Sequence, residues 1–281
     1  MRLLHGKPLA EELHATSAQR TARLRDRGVE PRLAVVSVGA DPAANTYLQR
    51  LVGHGRRLGI AVDDVSLPRE SAEATVAATL ERLGADPRVN GMLLLTPLPG
   101  KLDEGHLVDH IAREKDVEGM NPFNVGLLAD GRPRFVPSTA EAIVELLKFH
   151  GVSLRGARAV VIGRSTVIGR PAAYLLLNED ATVTIAHRGT AELAAITRTA
   201  DVVVVGIGRA GFVKGDILRS GATVIDAGIN VTPQGIVGDV DLASVSAVAG
   251  ALSPVPGGVG AVTTELLLRN VITATEHQRK D

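Results

Sequence analysis

Strand-like and helix-like stretches alternate along the chain in two blocks. In the first, spaced apolar positions predict a helix over 8–27, followed by the strand PRLAVVSVG at 31–39. A second helix is expected from Asp41, a good N-cap residue, with Pro42 at the first helical position, where a missing N–H does no harm. AVDDVSLP (61–68) predicts a strand, ESAEATVAATLERLG (70–84) a helix and VNGMLLLTP (89–97) a buried strand. Strands separated by helices in this way point to parallel βαβ units.

Between Pro97 and Pro137 the pattern is broken by Pro-Leu-Pro-Gly, Asn-Pro and Gly-Arg-Pro. A helix then begins in PSTAEAIVELLKFHG (137–151), where Ser138 and Glu141 have the spacing of a capping box. The second block reads strand at 157–163, helix at 169–178, strand at 182–188, helix at 191–199, then strands at 202–208 and 223–229. Its strands are near-continuous apolar runs, the mark of strands buried on both faces of a doubly wound sheet. The amphipathic tail at 263–277 is expected to cross back to the first block. The fold class is therefore α/β in two domains: 1–137 together with 262–281, and a Rossmann-like domain over 138–261.

Composition narrows the function classes. Hydrophobic residues make up 45% of 281 positions and aromatics 2%, so the core is large and aliphatic. Lys plus Arg and Asp plus Glu are both 31, which gives no reason to expect a nucleic-acid or membrane partner. Zero cysteines exclude disulfides, a thiolate nucleophile and cysteine zinc sites. No signal-like apolar run opens the sequence and no stretch is long enough to span a bilayer, so a cytoplasmic protein is expected. His106 and His110 are spaced i, i+4, but no third ligand accompanies them and no metal is expected. Asp226 and Asp239 stand at strand ends or in loops and read as structural.

The first turn of the second block, GRSTVIGRP, carries Gly163, Arg164, Ser165 and Gly169 between a strand and a helix. Backbone N–H groups and the helix dipole at such a turn suit a phosphate, although the spacing departs from G-x-G-x-x-G and a tight turn alone would read the same way. The next strand ends in AHRGT, with His187, Arg188 and Thr190, where an NAD site would carry a carboxylate for the ribose. Two guanidinium groups, on Arg164 and Arg188, suit a 2′-phosphate, so NADP is the expected cofactor.

Four segments occur in one order: GMLLLTPLPG, KDVEGMNPFNVGLL, GRSTVIGRP and LSPVPGGVGAVTTELLLRN. Together they resemble the methylenetetrahydrofolate dehydrogenase/cyclohydrolase family over nearly the whole chain. The resemblance implies a folate-side first domain, an NADP-binding second domain, a substrate cleft between them and a homodimer. It also implies hydride transfer from methylenetetrahydrofolate to NADP, then hydrolysis of the methenyl product to formyltetrahydrofolate. Tyr47 matches the family tyrosine that packs on the folate ring, Glu118 stands where an Asp holds the pterin, and Pro256, Gly257 and Gly258 match the substrate-side loop. Gly163, Arg164, Ser165, Gly169, Arg188, Thr190 and Ile229 fall in the cofactor segments.

The match is uneven. The lysine credited with the cyclohydrolase proton work falls at Leu51, and the glutamine that orients it falls at Leu95. Hydride transfer mainly needs two rings held in place, whereas the hydrolytic step needs proton handling. The expectation is a dehydrogenase whose cyclohydrolase step is weak or lost, with Arg50 or His54, on the Tyr47 face of the helix, as replacement groups. Two alternatives stand beside it: an oxidoreductase of the same fold with another substrate, since VTIAHRGTAEL also resembles shikimate-dehydrogenase-like enzymes, and an inactive ligand-binding relative.

Overall fold

The computed structural model of the chain describes residues 1–39, 42–233 and 235–279. The chain opens with β1 (Arg2–Leu3) and α1 (Lys7–Asp26). There follow β2 (Arg32–Val38), α2 (Pro42–Leu58), β3 (Ala61–Leu67), α3 (Glu73–Ala85) and β4 (Gly91–Leu94). Three helices come next: α4 (Glu104–Asp109), α5 (Pro122–Ala129) and α6 (Ser138–Phe149). Alternation resumes with β5 (Arg158–Ile162), α7 (Gly169–Asn178), β6 (Thr182–Ala186), α8 (Leu193–Thr197), β7 (Val202–Val205) and β8 (Thr223–Asp226). A hairpin of β9 (Asn230–Thr232) and β10 (Gly235–Val237) precedes α9 (Leu242–Ser246), β11 (Ala251–Leu252) and α10 (Thr263–Gln278).

These elements form two compact units. One comprises Met1–Glu11, Leu128–Arg132 and Pro137–Thr263; the other comprises Glu12–Leu127, Pro133–Val136 and Thr264–Asp281.

The second of these holds a parallel three-stranded sheet in the order β3-β2-β4. Period-two alternation sends successive side chains of the central strand to opposite faces, and both faces are covered. Leu33 and Val35 pack with Leu48, Leu51 and Leu58 of α2 and with Leu267, Leu268 and Val271 of α10. Ala34 and Val36 pack on the other side with Val76 and Leu80 of α3 and Leu107 of α4. The tail helix is thus part of this unit's core, as its amphipathic pattern implied. β4 is shorter than the expected 89–97: after Leu95 donates to Val36, Pro97 has no N–H to continue the ladder.

The other unit holds a six-stranded parallel sheet in the order β1-β11-β8-β7-β5-β6. β7 is buried throughout and β5 is buried from Ala159 onward, consistent with their unbroken apolar runs. The sequence reading put residues 1–11 with the first block, whereas β1 pairs with β11 and extends the six-stranded sheet. A two-residue strand carries too little periodicity to announce itself.

Ser138 is the first helical residue of α6 rather than its cap; Pro137 takes the N-cap position and makes no side-chain cap bond. Asp41 lies outside the described residues. Among the described residues no helix is long and apolar enough to cross a membrane.

One polar tie crosses the core of the three-stranded unit. Glu265 of α10 is 4% exposed. Its carboxylate meets His54 of α2 at 2.7 Å, and His14 of α1 at 3.2 Å, through Nδ1 of each ring. Removing the carboxylate leaves both imidazoles without their partner, so Glu265→Ala is expected to lower stability by roughly 2 kcal/mol, read as a shift in the urea midpoint at neutral pH.

Candidate functional site

In the six-stranded unit the order of strands reverses direction between β5 and β7, which opens a crevice at the carboxyl ends of these two strands. The loop after β5 enters α7 through two glycines that no other residue can replace. Gly163 has φ of 123°, and a Cβ on it would crowd the Gly206 carbonyl oxygen. A Cβ on Gly169 would collide with the Gly163 carbonyl oxygen. The Ser165 hydroxyl accepts from the amides of Ile168 at 3.2 Å and Gly169 at 3.3 Å, so it fixes the helix entry. Arg164 and Ser165 are exposed beside the positive end of α7.

β5 and β6 run in parallel register, with Ile162 opposite Ala186. Arg164 and Arg188 each stand two residues beyond that last pair, so the two guanidinium-bearing residues leave neighbouring strands at the same edge. Arg188 is the exposed tip of a tight turn in which Thr190 accepts from the His187 amide at 2.8 Å and the Gly189 amide donates to His187 Nδ1. Ile229 is 67% exposed at the foot of the β9–β10 hairpin. Pro256 and Gly257 are exposed and Gly258 is buried; the Gly257 carbonyl accepts from Gly6, and the Gly258 amide donates to Pro254 at 2.7 Å. The donors and shape of the β5 loop fit a dinucleotide phosphate, and the cations beside it fit an additional phosphate on the ribose.

The three-stranded unit has its own pocket, a cavity of about 370 Å³ at the carboxyl ends of β2 and β4. Tyr47, Ser37, Leu95, Thr96 and Pro97 line it, with Arg69 and Leu98 among the other walls. Tyr47 is half-buried and packs on the cluster that contains Leu48, Leu51 and Leu95. Leu51 is fully buried in that cluster and Leu95 is 8% exposed, so the ring rests on aliphatic groups. Neither Arg50 nor His54 is among the lining residues. Arg50 is exposed and its charge is felt at the Tyr47 hydroxyl, whereas His54 is engaged with Glu265. Arg69 was not singled out from sequence, because one arginine in a turn carries no pattern. Its backbone reaches the pocket only because Gly39, with φ of 50°, has no Cβ to meet it.

Glu118 is carried on a loop built around Asp116. That carboxylate is almost wholly buried and accepts from the amides of Met120 at 3.1 Å and Asn121 at 2.8 Å and from the Asn124 side chain at 2.8 Å. Burial pushes its pKa up despite these bonds. Gly119 has φ of 64°, and a Cβ there would run into the Phe135 backbone, so the turn after Glu118 requires glycine. The expected histidine pair elsewhere is held by acids: His106 meets Glu73 at 2.7 Å and His110 meets Glu81 at 2.9 Å.

The Tyr47 phenol is held well above the ordinary tyrosine range, first by burial and then by the Glu118 charge, with Arg50 opposing. Its folded-state pKa is raised, so the folded form keeps a proton that the unfolded chain loses above about pH 10, and stability falls as pH climbs through that region. Tyr47→Phe is expected to show a shallower loss of urea resistance from about pH 9.5 to about pH 11 than the unaltered chain. Equal slopes would mean that Tyr47 ionises in the fold as readily as outside it.

Comparison with known proteins bears on both halves of the chain. Residues 4–118 match the tetrahydrofolate dehydrogenase/cyclohydrolase catalytic domain, and residues 137–279 match the NAD(P)-binding domain of the same family. The bifunctional protein FolD of Chloroflexus aurantiacus is 48% identical over 278 residues, covering 98% of this chain and 97% of that protein. The crystal structure of the bifunctional FolD enzyme from Campylobacter jejuni superposes with a TM-score of 0.96 at 36% identity, covering 99% of each chain. The Trypanosoma brucei methylenetetrahydrofolate dehydrogenase-cyclohydrolase, solved with NADP and an inhibitor, gives 0.94 at 33% identity over 99% of this chain and 98% of that one. With both domain models matched in order and near full-length relatives at this identity, the chain belongs to the tetrahydrofolate dehydrogenase/cyclohydrolase family.

Proposed function

We propose that this chain is an NADP-dependent methylenetetrahydrofolate dehydrogenase whose cyclohydrolase step is weak or lost. The observation that carries this reading is the aliphatic seat of Tyr47. The ring offers a flat face for a folate-type aromatic group, and the positions beside it that bear an amine and an amide in the family pattern are Leu51 and Leu95. Glu118 acts on the Tyr47 hydroxyl electrostatically, which supports its role as a pterin-holding acid. The exposed Arg69 at the pocket supplies a cation for carboxylates on the same substrate.

The two chemical steps make unequal demands. A bound NADP would supply the hydride acceptor, and the protein's part is to orient the folate ring and keep water out. Tyr47 orients the folate ring and Leu95 dries the wall. In the hydrolytic step water must lose a proton as it attacks, and the neutral Tyr47 phenol, seated on leucines, is a poor base for it. The Arg50 guanidinium offers only donors and His54 is bound to a buried carboxylate, so neither takes over that task in our reading.

On the cofactor side, Gly163, Ser165 and Gly169 form the phosphate turn. Arg164 and Arg188 would hold the 2′-phosphate, and Thr190 holds the turn that presents Arg188. Ile229 and the Pro256–Gly258 loop line the remaining cofactor and substrate sides in this reading. The protein acts in the cytoplasm as a homodimer. Support for the dimer comes from the β9–β10 hairpin, which exposes Val231 at 86%, Ile236 at 49% and Val237 at 36%, an apolar arm that a second copy can cover.

Purified protein is expected to form NADPH from methylenetetrahydrofolate and NADP, with NAD much the poorer acceptor. Arg188→Ala should raise the KM for NADP by about tenfold and leave that for NAD little changed. Methenyltetrahydrofolate hydrolysis should run close to its uncatalysed rate, and Leu51→Lys combined with Leu95→Gln should raise it by about a hundredfold. Rapid hydrolysis by the unaltered chain would overturn the loss of the second step.

A further inference from the structure

The crevice of the six-stranded unit has two walls, the loop after β5 and the loop after β7, and only the first looks like a phosphate turn. Yet the β7 loop also presents a row of amides. Ile207, Gly208 and Arg209 aim three consecutive N–H groups at one point, the arrangement that in other proteins receives an anion. In this chain the point is filled from within. The Asp239 carboxylate, fully buried, accepts from Ile207 at 2.6 Å, Gly208 at 3.0 Å and Arg209 at 2.7 Å, and also from the Asn230 side chain at 2.9 Å.

Asp239 is itself held. Its amide donates to Asp226 Oδ1 at 3.0 Å, and that carboxylate also receives the amides of Gly228 and Val240. The Asp226 amide in turn donates to the Ser253 hydroxyl at 2.8 Å. Gly228 and Gly238 lack the Cβ atoms that would strike the two carboxyl groups. Such a chain of buried, bonded acids makes the loop at the end of β7 stiff, because moving any member strands a charge without donors. The loop also touches the opposite wall: a Cβ on Gly163 would lie 2.8 Å from the Gly206 carbonyl, and one on Gly206 would lie 3.0 Å from Ile168.

A dinucleotide laid across this crevice has its adenosine toward β6 and its pyrophosphate on the β5 turn, so its other half lies on the β7 side. We propose that Asp239 is a positioning residue for that half: it occupies the amide nest of the β7 loop with an internal carboxylate, so that phosphates bind only at the β5 turn and the β7 loop keeps the shape that receives the nicotinamide riboside. This rests on the NADP reading above. It assigns Asp239 no contact with the reacting atoms.

The test compares two probes, NADPH and adenosine 2′,5′-bisphosphate, which lacks the nicotinamide half. Asp239→Asn keeps the size of the side chain but loses its charge and one acceptor group. Affinity for NADPH should fall by about tenfold, while that for adenosine 2′,5′-bisphosphate and the KM for methylenetetrahydrofolate stay within about twofold. Asn230→Ala, which removes one donor to Asp239 and leaves the three amides in place, should lower NADPH affinity by a smaller factor in the same selective way. It carries the test if the first variant does not fold. Equal losses for both probes, or no loss for either, overturn the role of Asp239. Failure of the unaltered chain to bind either probe overturns the cofactor reading itself.

Discussion

Parallel strands end in loops whose amides have no neighbour in the sheet to accept them, and this chain meets that demand with buried carboxylates. Asp116 does so for the loop that carries Glu118, Asp239 for the loop after β7, and Asp226 for the segment that delivers Asp239. A carboxylate taken out of water is tolerated only when fixed donors fill its lone pairs. Burial nonetheless pushes the pKa of Asp116 up, and burial together with the nearby Asp239 charge does the same for Asp226. The loops are therefore rigid by necessity: the same contacts that shape them are what keep the acids from being a liability.

Aliphatic packing sets the other limit. With four Phe, two Tyr and no Trp, the chain fills its interior with Leu, Val, Ile and Ala. Around Tyr47 this has chemical meaning, because the ring packs against a cluster that contains Leu48, Leu51 and Leu95. Side chains of this kind hold a ring still without offering it a proton.

Much of this is legible in the sequence itself. The unbroken runs VVVV and RAVVI announce strands buried on both faces, and α7 begins at Gly169, where the turn pattern put it. What escaped notice depends on distant partners. Asp226 and Asp239 read as structural at strand ends, but nothing in GDVD says that Asp239 reaches back to Ile207. His54 looked available on the Tyr47 face of its helix; Glu265, more than two hundred positions later, engages it. Local spacing encodes elements, whereas these ties are properties of how elements are brought together.

The interleaved course of the chain has a consequence for its synthesis. The three-stranded unit is not one continuous stretch: it takes Glu12–Leu127, then Pro133–Val136, and only with Thr264–Asp281 does it gain the helix that packs on Leu33 and Val35. A ribosome delivers those parts in that order, with the six-stranded unit emerging in between. The first block therefore waits, with one face of its sheet covered by α2 but not yet by α10, until nearly all of the chain has been made. A nascent chain arrested before α10 would leave Leu33 and Val35 without Leu267, Leu268 and Val271, so the core of the first block is completed only by the last helix to be made.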